Sequence, residues 1–167
     1  MKVSAKLVAQ SSFLLGTVIA ACIAFTQPSE DTVLKAYWDS HGRVWTICDG
    51  YTYGVKQGDT ETPEGCAKKT EAAHRMAADA VLRLTTTEIP VESFMAFEDF
   101  VYNVGAGNFA KSTMRKKINM GDLRGACGEF AKWVYAGGLD CRNRSNGCYG
   151  IVLRRQRQAA QCLKGVQ

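Results

Sequence analysis

The sequence predicts an α+β domain, mostly helical, with a small antiparallel sheet near its N-terminus and an export segment in front. Three observations carry this. The stretch Trp38 to Val55 mixes Trp, Val, Thr, Ile and Tyr with spaced glycines, whereas the chain beyond Thr62 shows apolar residues at helical spacing. The chain has 167 residues, which suits one domain and leaves little room for two. An uncharged run, Leu7 to Phe25, comes after Lys2 and Lys6 and is succeeded by the polar Gln27-Pro28-Ser29-Glu30.

That run is about as long as a bilayer-spanning helix requires, roughly 20 residues, although Gln10, Ser11, Ser12, Gly16 and Thr17 dilute it. It divides the chain into a signal or signal-anchor segment, 1–26, and a folded domain, 27–167. Three fates are open to it: cleavage after roughly residue 21–26, acylation at Cys22 within Ile19-Ala20-Ala21-Cys22, or retention as a weakly hydrophobic anchor. The chain has 7 cysteines. Those beyond the leader are Cys48, Cys66, Cys127, Cys141, Cys148 and Cys162, an even set that implies a disulfide framework in an oxidising compartment without defining its connectivity. No C-x-x-C pair occurs and the histidines are His41 and His74 alone, so a metal centre is not expected.

In order along the domain, Asp31 to Tyr37 reads as a short helical turn and Trp38 to Val55 as a hairpin or meander. Thr62-Pro63-Glu64 has the cap, first-position proline and first-turn acid of a helix start, and Cys66, Ala73, Met76, Ala77, Ala80, Val81 and Leu84 carry that helix to about Leu84. Pro90 opens another helix with the stripe Phe94, Phe97, Val101 and Val104, stopped at Gly105-Ala106-Gly107. Shorter helices are predicted over Phe109–Ile118 and Leu123–Tyr135, the second ending at Gly137-Gly138. Leu139 to Gly150 reads as loop, and a final helix starts near Ile151.

The net charge of +5 suits an anionic partner without choosing one. Arg154-Arg155-x-Arg157 has the composition of a nucleic-acid patch, but export argues against that partner and favours a solvated basic face or an internal ion pair. His41 is expected in a solvent-facing turn and His74 on the helix surface or its boundary. Glycosidic cleavage needs one carboxylic acid to protonate the leaving oxygen and a second carboxylate facing the same cleft. Glu30 and Asp39 bracket the predicted helical turn, with Thr46 in the first strand, an arrangement that chemistry alone does not distinguish from a solvated face.

Resemblance adds the rest. Glu30…Leu34-Lys35-Ala36-Tyr37-Trp38-Asp39-Ser40-x-Gly42…Trp45-Thr46-Ile47-Cys48-x-Gly50-x-Thr52 resembles the catalytic stretch of the phage-type lysozymes, glycoside hydrolase family 24. Phe97-x-x-Phe100-x-Tyr102-Asn103-Val104-Gly105-Ala106-Gly107-x-Phe109-x-x-Ser112-Thr113 is similar to the family's second block. Asn119-x-Gly121-Asp122, Phe130-x-x-Trp133-Val134-Tyr135-Ala136-Gly137-Gly138 and Gly150-Ile151-Val152-Leu153-Arg154-Arg155 match later blocks in order.

The resemblance implies a lysozyme-like fold and a muramidase of the endolysin type. Such an enzyme hydrolyses the β-1,4 bond between N-acetylmuramic acid and N-acetylglucosamine in peptidoglycan to lyse the host. It implies Glu30 as general acid, Asp39 as the group that positions water or stabilises the oxocarbenium-like state, and Thr46 as the partner orienting water. Asn103, Trp133 and Tyr135 are the candidate saccharide contacts read from the residues themselves, with two alternatives open: burial of the aromatics as helix core, and local backbone capping by Asn103. The resemblance implies the pairs Cys48–Cys66 and Cys127–Cys162, leaving Cys141–Cys148. The leader resembles the signal-anchor-release segments of such endolysins: a monomer held at the periplasmic face of the host inner membrane, then freed into the periplasm, with peptidoglycan as partner and no cofactor.

The chain departs from the family pattern at Asp31, where Gly is usual after the catalytic Glu, and at Tyr51, where His or Glu is common. Gln158 stands where the Arg-Arg-x-x-Glu pattern places Glu, and the Asp39 to Thr46 interval is one residue longer than usual. A non-catalytic wall-binding or structural protein of the same fold, lipid-anchored through Cys22, is the alternative that these departures favour.

Overall fold

A computed structural model describes residues 1–4, 12–27, 32–40 and 42–166, with side chains in the first helix described from residue 15 onward. Its elements, in order, are β1 (Lys2–Val3), α1 (Ser12–Thr26), β2 (Val33–Asp39), β3 (Val44–Cys48), α2 (Pro63–Leu84), β4 (Ile89–Pro90) and α3 (Val91–Val104). Then come α4 (Ala106–Lys111), α5 (Thr113–Asn119), α6 (Leu123–Gly128), a 3-10 turn (Glu129–Lys132), β5 (Tyr135–Ala136), β6 (Leu139–Asp140), a second 3-10 turn (Arg144–Asn146) and α7 (Tyr149–Lys164). The strands form three antiparallel pairs, β1–β4, β2–β3 and β5–β6.

α2 starts where its signals place it: the Thr62 hydroxyl accepts from the Gly65 backbone N–H at 3.0 Å, with Pro63 first in the helix. Cys66, Ala73, Ala77, Ala80 and Val81 are buried, whereas Met76 is exposed. The stripe of α3 runs through the centre of the molecule. Phe94, Phe97 and Phe100 are fully buried with Phe109 and Phe130, and the Phe97–Phe130 and Phe100–Phe130 centroids lie 5.7 and 5.6 Å apart. Burying each such ring stabilises the fold by about 1.5–3 kcal/mol.

Four expectations are corrected. Val33–Asp39 is a strand, not a helical turn, because Tyr37, Trp38 and Asp39 find partners in Thr46, Trp45 and Val44. The segment expected as one helix over Phe109–Ile118 breaks at Ser112, whose extended backbone lets its hydroxyl accept from the Arg115 N–H at 3.0 Å and cap a new helix. Leu123–Tyr135 is a helix for its first turn and a half only. Beyond Lys132 the chain turns into the β5–β6 hairpin about Gly137 and Gly138, both at positive φ (55° and 83°), a conformation glycine adopts without a Cβ penalty. That hairpin, the second 3-10 turn and the first residues of α7 occupy the stretch expected as loop.

Disulfides join Cys48–Cys66, tying β3 to α2, Cys127–Cys162, tying α6 to α7, and Cys141–Cys148, closing the turn before α7. Cys22 is a buried free thiol.

α1 packs one face into the protein core, against α2 and α3, and leaves Thr17, Ala20 and Ala24 exposed on the other. Val18, Ile19, Cys22 and Thr26 are all at most 2% exposed, and β1, at the other end of the leader, buries Val3. Leader and domain therefore share one core. Among the described residues no helix is long and apolar enough to cross a membrane.

Candidate active site

The hairpin register decides which side chains meet. Tyr37 stands opposite Thr46 and Asp39 opposite Val44, so these four point to one face while Trp38 and Trp45 point to the other. The first face forms a wall of a cleft of about 530 Å³. Ala80 and Arg83 of α2 and Asn103 at the end of α3 are among the residues that complete it.

Asp39 is half-buried in that wall. Its carboxylate lies close to Gly42, in the next turn: a Cβ there would fall 2.6 Å from Asp39 Oδ2. Arg43 takes up the reversal at φ 55°, in the left-handed region, and the longer turn noted in the sequence is thus folded back beneath Asp39. Thr46 sits deeper, 3% exposed, and its hydroxyl makes a long 3.4 Å contact with the Val44 carbonyl.

Glu30 and Asp31 lie outside the described residues, as does His41. The chain just beyond them is anchored at Thr32. The Thr32 hydroxyl donates to Asp49 Oδ1, the Thr70 hydroxyl of α2 donates to Asp49 Oδ2 at 2.9 Å, and the Tyr102 hydroxyl of α3 donates to the Asp49 carbonyl. Asp49 sits between Cys48 (φ 56°) and Gly50 (φ 85°), in a turn closed by reciprocal Ile47–Tyr51 backbone hydrogen bonds. It is a knot joining the strand after Glu30, the hairpin and two helices. Sequence reasoning missed it; its signal was an Asp before Gly between two strand-like segments. Tyr51 lines the cleft, with Lys69 Nζ 5.3 Å from its ring centroid.

The structure brings Asp39, Thr46 and Asn103 to one cleft and puts Trp133 and Tyr135 elsewhere. Those two line a second depression of about 550 Å³ with Ser112, Thr113 and Lys132, which shares no lining residue with the first. Trp133 presents its ring edge-on to Phe100 at 4.9 Å and packs partly against the core, while Tyr135 is 56% exposed and its hydroxyl accepts from Arg142 at 3.0 Å.

Behind the cleft lies a buried polar cluster. His74, expected near the surface, is 1% exposed: its Nδ1 is 2.9 Å from Glu98 Oε1 and its ring stacks on Tyr102 at 4.3 Å. The periodicity of α2 could not reveal this, because the polar partner comes from α3. Burial raises the Glu98 pKa above the usual carboxylate range despite His74. The Cys22 thiol faces Glu98, and burial, then that acid, pushes the thiol's pKa well up.

Asp99, fully buried, accepts from Thr26 Oγ1 at 2.8 Å, Arg154 Nη2 at 2.6 Å and Gln158 Nε2 at 2.5 Å. Burial pushes its pKa up, but the Arg154 charge and the hydrogen bonds outweigh it and the net direction is down. The first arginine of the motif, Arg154, thus forms an internal ion pair. Gln158 in place of the family's Glu supplies a donor to Asp99 where a second carboxylate would repel it. Arg155, 3% exposed, is lowered to about 10 by burial first and by the Arg154 charge next. Among the described residues no group of three or more His, Cys, Asp or Glu side chains is placed to hold a metal.

The phage lysozyme family profile matches residues 27–158. The chain belongs to the phage lysozyme family. It is therefore a glycoside hydrolase by family, and its relatives agree in length as well as sequence. It is 34% identical over 158 residues to the SAR-endolysins of Enterobacteria phages PA-2 and P21, with 91% of each chain covered. It is 34% identical over 152 residues to a probable prophage lysozyme of Escherichia coli K12, covering 86% of this chain and 83% of that one. Among solved structures it superimposes on the active form of the P1 phage endolysin with a TM-score of 0.73 at 21% identity, covering 88% and 85% of the two chains. It superimposes on a P22 lysozyme mutant with a TM-score of 0.67 at 26% identity, covering 86% and 95%. The fold is that of the phage lysozymes, as the sequence resemblance implies.

Proposed function

We propose that this phage lysozyme is a monomeric endolysin that cleaves the β-1,4 bond between N-acetylmuramic acid and N-acetylglucosamine, with Glu30 as general acid, Asp39 as the second carboxylate and Thr46 as the group that orients water. The observation that carries it is the register of β2 and β3, which puts Asp39 and Thr46 on one face, opening into a cleft across from Asn103. A carboxylate over a buried hydroxyl is a fitting cradle for a water approaching the anomeric carbon from the face opposite the acid. Thr32, two residues beyond Glu30, is held to Asp49 at the hairpin's far end, which ties the chain bearing the acid to the same hairpin.

The leader is retained in the active protein on this reading. Val18, Ile19, Cys22 and Thr26 fill the core, and a signal cleaved after residue 21–26 would remove at least the first two and open a cavity behind α3. An acyl chain on Cys22 would have to occupy a site that is already packed. The segment would first hold the chain at the periplasmic face of the host inner membrane and then pack into the domain on release to the periplasm, where peptidoglycan is met.

The test is clearance of permeabilised Gram-negative cells, with N-terminal mass spectrometry of the same preparation. Glu30→Gln and Asp39→Asn are each expected to reduce the rate by about 10²-fold or more. Thr46→Ala is expected to reduce it less, because a buried hydroxyl is lost and not a charge. Equal clearance by wild type and Glu30→Gln would end the assignment of the acid, and a chain beginning beyond residue 21 would end the retained leader.

A further inference from the structure

Of the two buried arginines of α7, Arg154 pairs with Asp99, whereas Arg155 is held by neutral groups. Its three guanidinium nitrogens donate to three uncharged acceptors: Nε to the Trp133 carbonyl at 3.0 Å, Nη1 to Gln158 Oε1 at 2.8 Å and Nη2 to Asn103 Oδ1 at 2.5 Å. Its plane lies 5.1 Å from the Phe100 ring centroid. Taking a cation out of water for neutral partners is costly, so a core position of this kind calls for a reason. The reason is at the far end of one of those bonds. Asn103 is exposed and lines the cleft that holds Asp39 and Thr46.

A guanidinium can only donate. The atom of Asn103 that faces Arg155 must therefore be the carbonyl oxygen, and the amide nitrogen, with its two donors, is turned to the other side. An asparagine on a surface is ordinarily ambiguous in this respect; here the ambiguity is removed by a buried residue from another helix. Gln158 holds Arg155 in turn, with its amide polarity fixed in the same way: its oxygen takes Nη1 and its nitrogen donates to Asp99.

We infer that Arg155 is a positioning residue for substrate recognition, which locks Asn103 with its amide donors toward the cleft and so selects a glycan that offers an oxygen acceptor there, an N-acetyl carbonyl being the acceptor such a sugar carries. Lysine in its place would keep the charge but supply a single point donor, unable to bridge Asn103, Trp133 and Gln158 at once. The effect falls on binding and not on the chemical step, because the contact is present before and during bond cleavage alike.

The inference rests on a glycan occupying the cleft, as proposed above, and its test is read as binding so that it does not require hydrolysis. A soluble peptidoglycan glycan oligosaccharide is titrated calorimetrically into the full chain in the Glu30→Gln background, and kcat and KM are measured in chains with Glu30 intact. Arg155→Lys is expected to weaken binding about fivefold to twentyfold, with a parallel rise in KM and kcat held within about twofold. In an Asn103→Ala background the same substitution is expected to add nothing, the signature of a residue acting through its partner.

Asn103→Asp covers the case in which the arginine variant does not fold. It keeps a partner for Arg155, so the thermal midpoint should not fall, yet it presents an oxygen where the donors were, and binding should weaken by a similar factor. Unchanged affinity in Arg155→Lys or Asn103→Asp, or an equal loss from Arg155→Lys with and without Asn103, overturns the inference. Binding that behaves as described in a chain that does not hydrolyse the glycan would instead defeat the catalytic assignment alone.

Discussion

The hairpin wall of the cleft and the junction of α1, α3 and α7 behind it are built from the same residue types and put them to opposite uses. In the junction a carboxylate and a threonine are sealed away: Asp99 accepts from Thr26, Arg154 and Gln158, and none of the four is more than 7% exposed. In the wall, Asp39 is half-buried and Thr46 is buried beneath it, but both border a cavity large enough for sugar rings. A carboxylate saturated by fixed donors holds a structure together; one that borders a cavity can act on what enters. The junction's neighbouring acids differ as well. Asp99 is paired with a cation, whereas Glu98 has His74 on one oxygen and, among the described residues, no hydrogen-bond partner for Oε2.

The sharpest way to break this contrast is to remove the sealed carboxylate. Asp99→Ala leaves Arg154 buried without its counter-charge, and unfolding by denaturant is expected to show a loss of about 3–5 kcal/mol. Asp39→Ala, at a cavity edge, should shift the same midpoint far less while abolishing activity. A loss at Asp39 equal to that at Asp99 would erase the distinction between the two regions.

The disulfides give an effect of intermediate size. Cys127–Cys162 closes a segment with a sequence separation of 35 and Cys141–Cys148 one of 7. From loop entropy alone, removing the first should cost about 4 kcal/mol and removing the second about 2.5. Paired Cys→Ser variants compared by thermal unfolding check the order; a larger loss from the short loop would mean that native packing, not chain entropy, sets it.

The smallest effect separates the neighbouring acids by pH. Glu98 has a raised pKa in the folded protein, so its contribution is fully present below its ordinary value of 4.5 and is lost as pH rises through the folded value. Asp99 has a lowered pKa, so its contribution is present above its ordinary value of 3.8 and is lost as pH falls through the folded value. Glu98→Gln should therefore gain stability relative to wild type as pH rises, and Asp99→Asn should lose most at neutral pH and least in acid. Denaturant titrations from pH 3 to 8 would show two slopes of opposite sign; parallel slopes would contradict the assignment of burial to one acid and pairing to the other.

Much of this molecule was legible in its residues. Thr62-Pro63-Glu64 marks the start of α2 because capping chemistry is local, and Pro90 and Gly105 bound α3 for the same reason. The ordered blocks from Glu30 to Arg155 identified the family, and the disulfide pairs that this resemblance implied are those formed. Asp39 and Thr46, singled out through the resemblance, lie on one face of the hairpin and line the same cleft.

Other features depended on partners distant in sequence. The segment read as a helical turn is β2 because β3 offers it a ladder, and no local preference outweighs those backbone bonds. His74 is buried because Glu98 on another helix meets it, and Trp133 and Tyr135 leave the Asp39 cleft because Gly137-Gly138 folds them into a hairpin of their own. The leader shows this most fully. Sequence determined that Leu7 to Phe25 is uncharged and about as long as a bilayer-spanning helix requires. Tertiary structure alone decided that Val18, Ile19, Cys22 and Thr26 complete a protein core, because hydrophobicity states what a helix avoids, while the arrangement of Glu98, Asp99 and the phenylalanines around it states what it meets.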